Sequence, residues 1–415
     1  MSRASTIAPS DTIPLRYLAD INPSVDFSEL DDDAEVTFLP MDRVKSGYFI
    51  PNTDRLSKLA SSYNSFENGD IVLAKVTPCF ENGNIAITDN LANGIGFGSS
   101  ELFVIRPNGI EQRFLFYCLQ SGLFKQEGEA SMTGAGGLKR ISSDVLRRHR
   151  VHAFPRQTQH RIATYLDRET ARIDALVAEK KRMLSLLEQK RAALISRAVI
   201  GGLNPKAPTK PSGLDWLGEI PKHWKVQRCA TLFIEKDERG EPELPLLNVS
   251  LNTGVTLRVF SEDKIESMAS NLGTMKIARE GDLVFNKMRF WQGAAGIAPV
   301  DGLVSPDYTV ATISDLLLPD YAEKLFRISL FNAIVRRYSY GMVDDRLRLY
   351  WDGFKNIRIP LPPLAEQEAI ITHIQAHQSR ANALKTALRD SIALLKERRS
   401  ALITAAVTGR LAISA

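Results

Sequence analysis

The sequence predicts a mixed α+β chain: two α/β globules separated by two long antiparallel helices forming a coiled coil, arranged as an internal pseudo-two-fold repeat. Three observations carry this. Pro155 to Leu203 has no further proline and no glycine before Gly201, and its apolar residues recur at seven-residue spacing. The same stretch returns 208 residues later without a gap. The segments before and between the two copies carry strand and turn signals in one order. The boundaries that follow are a globule over 1–154, a central helix over 155–203, a linker and second globule over 204–362, and a C-terminal helix over 363–415.

In the first globule, Ile13 to Leu39 reads as two short strands around an acidic loop, Asp31-Asp32-Asp33, with a short helix at Asp54–Ser61. Phe66-Glu67-Asn68-Gly69-Asp70 is a turn, and the apolar run Ile71–Val76 after it is a strand. Asn82-Gly83 marks a second turn, followed by strands at Ile85–Thr88 and Leu102–Ile105 and a helix over Glu111–Gln120. A glycine-rich loop, Thr133 to Arg140, precedes the long helix.

That helix places Leu166, Ile173, Leu187 and Leu194 on one heptad seam, with Ile162, Leu176 and Met183 on the seam beside it. In the second copy the seams are Ile374, Leu388, Leu395 and Leu402, and Ile370 and Leu384. A helix of about 43 residues, ~65 Å long at ~1.5 Å per residue, is too long for the core of one small domain. Matched seams let the copies pair, and a two-fold relation between the globules requires the pair to be antiparallel. Such a pair would set the separation of two non-identical globules.

After Gly201-Gly202, NPKAPTKPSG is a proline-rich linker. The element order then repeats. Gly281-Asp282-Leu283-Val284 answers Gly69-Asp70-Ile71-Val72, and Arg228 answers Arg16, both 212 residues on. Gly302–Asp307 stands where Gly96–Glu101 stood, a helix covers Tyr321–Arg337, and Gly341–Arg348 replaces the glycine-rich loop.

Composition bounds the function. A chain of 415 residues with 44% apolar content suits two or three domains with real cores. No apolar run approaches a membrane span, and the opening MSRASTIAPS has no apolar leader, so neither is expected. Cys79, Cys118 and Cys229 stand apart, which suits a reducing cytoplasm and argues against a cysteine zinc site. The net charge of +5 sits on the helices: Lys and Arg outnumber Asp and Glu by 10 to 5 in residues 155–203 and by 7 to 4 in 363–411. The charge alone is therefore a weak sign of nucleic-acid binding by the globules.

The sequence carries no recognisable catalytic set. Gly134–Lys139 has the wrong spacing for a nucleotide loop; a plain flexible loop and a phosphate cradle with Lys139 and Arg140 both remain open. No methyltransferase motif and no nuclease carboxylate–lysine set occurs. Asp344-Asp345 reads as a loop acid pair. His373 and His377 share a helix face without a third metal ligand. No catalytic residue and no metal site is expected.

Several motifs recur in order. The helix entries are Pro155…Gln159 and Pro363-Leu364-Ala365-Glu366-Gln367. The helix ends are Leu194-Ile195…Gly201 and Leu402-Ile403…Gly409-Arg410-Leu411, and Gly69-Asp70-Ile71 and Gly281-Asp282-Leu283 open the central strands. Gly98-Ser99-Ser100-Glu101 follows in the first globule, and Trp216 to Trp224, WLGEIPKHW, opens the second. Taken in this order over the whole chain, they resemble the specificity subunits of Type I restriction–modification enzymes. The resemblance implies two target-recognition domains, each reading one half of a bipartite, asymmetric double-stranded DNA site. It implies helices that space them and bind two modification (methyltransferase) subunits, with restriction subunits added outside. It implies a non-catalytic cytoplasmic chain, with S-adenosylmethionine, ATP and Mg²⁺ belonging to the partners. Two departures stand out: Thr158-Gln159 lacks the Glu of the second entry, and the first repeat lacks the Trp-rich opening. A related combined nuclease–methyltransferase system and a coiled-coil scaffold without DNA binding are the alternatives.

Base readers need donors and acceptors at element ends. Lys75 and Thr77 follow the first Gly-Asp strand, and Lys287, Arg289 and Gln292 the second; Arg and Lys suit guanine edges, Gln adenine. Trp291 beside them is expected in the core. Lys139, Arg140, Arg346 and Arg348 are the phosphate-positioning candidates. Arg172, Leu176, Leu187, Arg191, Leu194, Arg380, Leu384, Leu395, Arg399 and Leu402 are the candidates for helix pairing and partner binding, with most leucines in the helix-pair core.

Overall fold

A computed structural model describes residues 11–134, 137–258, 269–341 and 347–413. The chain divides into two compact units: residues 1–181 with 389–415, and residues 182–388. Each contains one globule and part of each long helix.

In the first unit the central sheet contains β1 (Ala19–Ile21), β2 (Ile71–Ala74), β3 (Ile85–Ile87) and β4 (Leu102–Pro107). Its order is β1-β4-β2-β3, antiparallel throughout. All four residues of β2 are buried, as a short unbroken apolar run at the centre of a sheet should be. A second sheet has the order 53–55, 35–39, 95–98, 64–67, and its 35–39 and 95–98 strands run parallel.

Two short helices follow, α1 (Gln112–Cys118) and α2 (Gly122–Ala130). The sequence pointed only to the first. Ser121 starts the second by accepting the Phe124 N–H, an N-cap that separates two helices within one apolar stretch. The core packs Phe114, Leu115 and Phe124 against Ile162, Ala163 and Leu166 of the long helix α3 (Arg156–Gly201).

The second unit repeats this plan. Its central sheet contains β5 (Phe233–Lys236), β6 (Leu283–Asn286), β7 (Ala295–Ile297) and β8 (Tyr308–Ile313) in the order β5-β8-β6-β7. The counterpart of the second sheet is two antiparallel strand pairs, the hairpin 247–250 with 254–257 and the long-range pair 276–278 with 302–304. A single parallel bridge, Leu246 to Leu303, joins them. The helix expected over Tyr321–Arg337 is two, α4 (Pro319–Phe326) and α5 (Ser329–Arg337). The break at Arg327-Ile328 brings the Phe326 and Phe331 rings to 4.7 Å. Both rings are fully buried. The second long helix, α6 (Leu364–Val407), enters this core through Ile370, Ile371 and Ile374.

Within each unit the long helices run antiparallel. In the first, Arg399 of α6 meets Asp174 of α3 at 3.1 Å. In the second, Lys385 meets Glu188. Leu166 shares a core with Ile403 in the first unit, and Leu194 packs with Ile374 in the second, so within each unit rising numbers on one helix oppose falling numbers on the other. One seam is buried, through Ile173, Ile374 and Leu388, and Leu187, Leu194, Leu395 and Leu402 are half-buried. The seam beside it, beyond Ile162 and Ile370, is more open. Leu176, Met183 and Leu384 are 41%, 45% and 51% exposed. Two paired helices cover only one stripe on each other, so the neighbouring stripe keeps more of its surface open.

Candidate nucleic-acid interface

The Gly-Asp turn builds the same corner in both units. Gly69 and Gly281 have φ of +98° and +87°, which only glycine adopts without strain. The aspartate that follows is buried, and its Oδ2 accepts the N–H of the residue three back, Glu67 or Arg279, at 2.9 Å. Arg106 neutralises Asp70 through two bonds of 2.8 Å, and Lys236 does so for Asp282 at 3.2 Å. These carboxylates hold the turn at one end of the strand; its far end carries other contacts.

At that far end, residues distant in sequence meet. The Ile141 N–H donates to the Lys75 carbonyl at 2.9 Å, and the Leu349 N–H to the Lys287 carbonyl at 2.8 Å. Beside each bond, a two-residue ladder closes the loop: Thr133 with Arg140, and Tyr340 with Arg348. The segment after the Gly-Asp strand and the basic foot of the loop thus form one edge, twice.

Not every candidate on that edge is free. Thr77 is buried; its hydroxyl donates to the Gly137 carbonyl at 2.9 Å and accepts the Lys139 N–H at 3.0 Å, so it braces the loop. Arg140 grips Glu101 through contacts of 2.8–3.1 Å, and this hydrogen bonding holds the Glu101 carboxyl below its ordinary range. The Lys75 ammonium lies 5.5 Å from the Phe103 ring centroid. Lys139 is exposed. In the second unit Arg289 donates to Gln292 at 3.0 Å, and both are exposed. Lys287 is half-buried and Arg348 exposed. Arg346 and the Asp344-Asp345 pair lie outside the described residues. Trp291 is half-buried and packs against the core, with the Arg336 guanidinium 5.5 Å from its ring centroid, a cation–aromatic pair that no sequence pattern marked.

The entry glutamines explain themselves. Gln159 Oε1 accepts the Glu111 N–H at 2.8 Å while its amide donates to the Phe154 carbonyl at 2.8 Å. Gln367 accepts from Leu318 at 2.8 Å and donates to Leu316 and Pro362 at 3.0 and 2.9 Å. Each staples the start of a long helix to the loop before a short one. On the helices, Arg172 and Arg380 are exposed, whereas Arg399 is committed to Asp174 and to Gln120 at 3.2 Å. In the second unit a cavity of about 180 Å³ lies between the helices, lined by Leu187, Leu194, Ile374, Leu384, Arg191 and Arg380.

The family model of the Type I restriction modification DNA specificity domain matches residues 19–184. The specificity subunit of the EcoAI type I restriction enzyme of Escherichia coli is 38% identical over 153 residues, which is 36% of this chain and 26% of that protein. The match therefore spans about a quarter of the relative's length. A chain solved in work on complex assembly and conformational transition of the type I R-M system superposes with a TM-score of 0.71 at 17% identity, covering 97% of this chain and 98% of its own. The HsdS subunit from Thermoanaerobacter tengcongensis gives 0.52 at 18% identity, covering 99% and 100%. Both share the fold.

The two long-helix entries differ at one lock. Glu366 accepts from Trp224 Nε1 at 2.9 Å and contacts His223 Nε2 at 2.7 Å. A Cβ on Gly202, at φ +74°, would come within 3.0 Å of the same carboxylate. Thr158 replaces Glu366 in the first entry, and the Trp-rich opening is absent there. The two departures from the repeat are one: the acceptor and its indole donor occur together.

Proposed function

We propose that the chain is the DNA sequence-recognition subunit of a Type I restriction–modification system. Each unit reads one half of a bipartite, asymmetric site through the edge where the post-turn segment meets the loop foot. Lys139 and Arg348 position phosphates; Lys75, Arg289 and Gln292 face base edges. The helices present Arg172, Leu176, Arg380 and Leu384 to two modification subunits, and restriction subunits add outside them. Methyl transfer and ATP-dependent cleavage, with S-adenosylmethionine, ATP and Mg²⁺, belong to those partners. The chain itself is non-catalytic and acts in the cytoplasm. Among the described residues no helix is long and apolar enough to cross a membrane.

The observation that carries the reading is the paired bond at Lys75 and Lys287, which puts the candidates of each unit on equivalent edges. Two similar edges with different side chains are what an asymmetric two-part target requires. Methylation-sensitive sequencing of DNA from cells with and without the gene tests it. A gapped motif should lose methylation when the gene is removed; an unchanged methylome would defeat the proposal.

A further inference from the structure

The second unit carries a cationic cavity that the recognition edge does not use. It has a volume of about 540 Å³ and is lined by Arg228, Arg337, Arg358, Trp216, Tyr338 and Asp215, among others. Arg228 and Arg358 are direct cross-strand partners in the ladder of 225–228 with 358–361. Side chains at such positions share a face about 5 Å apart, and like charges there are mutually destabilising. Arg337 joins them from the last turn of α5. Among the described residues none of the three is within ion-pair distance of a carboxylate. Arg228 donates to the neutral Asn356 Oδ1. Among the described residues Asp215 is the only acid in the lining, against three guanidiniums.

The first unit lacks this arrangement. Arg150 occupies the position of Arg358 in the equivalent ladder, but its partner is Pro14. Its guanidinium is bonded to the Thr12 hydroxyl and carbonyl at 2.6 Å. The repeated fold therefore does not require a pair of opposed arginines at this place.

We propose that Arg228, Arg337 and Arg358 form a binding site for a phosphate group, present in the second unit alone. Guanidiniums bind phosphate oxygens bidentately, and one dianion would convert three mutual repulsions into attractions. Trp216 and Tyr338 supply apolar wall on which a sugar or base could lie. The phosphate comes from one of two sources: the backbone of the bound duplex, which rests on the function proposed above, or a small free phosphoanion, which does not.

The test uses the full chain with Arg337→Gln and, separately, Arg358→Gln, each checked for native circular dichroism and a cooperative melt. Duplex DNA binding is measured across salt concentrations, and pyrophosphate binding by calorimetry. If the backbone is the source, each variant binds duplex about tenfold more weakly near physiological salt, equally for all sequences, and the slope of log K against log salt falls by about 1. If a free anion is the source, the native chain binds one pyrophosphate and the variants lose about tenfold or more in affinity. Unchanged duplex slopes together with no pyrophosphate binding by the native chain overturn the site. A native chain that fails to select any DNA sequence with its partners would defeat the proposed function, while the pyrophosphate arm would still decide the cavity.

Discussion

Gln367 is fully buried and makes three backbone bonds with one side chain. Leucine fills a similar volume but leaves the Leu318 N–H and two carbonyls without partners. An unsatisfied buried group costs about 1–3 kcal/mol, so Gln367→Leu should destabilise the chain by roughly 3 kcal/mol in urea unfolding. Gln159→Leu removes two such bonds and should cost less. Glu101 gives a second residue-level test. Its carboxyl is held low chiefly by the hydrogen bond from Arg140. A depressed carboxylate stabilises the fold above its unfolded pKa of about 4.3, and that contribution disappears as pH falls through the folded value. In a carboxyl NMR titration Glu101 should therefore have a midpoint below those of exposed glutamates. Arg140→Gln should move it upward, and added salt should move it partway.

Helix α6 separates two leucines that sequence spacing put on adjacent seams. Leu388 is 8% exposed and Leu384 51%. Leu388→Ala leaves a cavity and should cost about 2–4 kcal/mol. Leu384→Ala should leave thermal stability nearly unchanged and, on the function proposed, weaken assembly with a modification subunit in pull-down or mass photometry. A Leu384→Ala chain that unfolds as readily as Leu388→Ala would place Leu384 in the helix pair. Heptad spacing announces that a long helix has a partner; it does not say how many partners cover it, so the outer stripe was not legible in the residues. Turns were more readable. The 212-residue match at Gly69 and Gly281 holds because positive φ demands glycine. The match of Arg16 to Arg228 does not hold. Leu15 and Cys229 donate to the carbonyls of His149 and Ile357, which equates positions 214 residues apart. No glycine or proline marks that register, and a strand can slip by two residues without changing which face is buried. The Glu366–Trp224 lock was half legible: both departures were visible as letters, but only the 2.9 Å bond makes them one feature.

The chain as a whole is two units of one plan with unlike edges. The strand order of the central sheet is the same in both, as are the glutamine staples and the bond closing the loop foot. The exposed side chains there are not. The first unit presents Lys139 beside a loop braced by Thr77, and the second presents Arg289, Gln292 and Arg348 with the Trp291–Arg336 pair. If reading is local to each edge, the halves of the target are separable. Replacing residues 1–154 with the corresponding globule of a related subunit should change one half of the methylated motif and leave the other half intact. The junctions favour the exchange, because Pro155 immediately precedes α3 and Gln159 needs only backbone groups as partners. Methylome sequencing of cells carrying the hybrid reads both halves at once. A motif changed in neither half would mean that the first globule does not read DNA, and one changed in both would mean that the edges do not read independently.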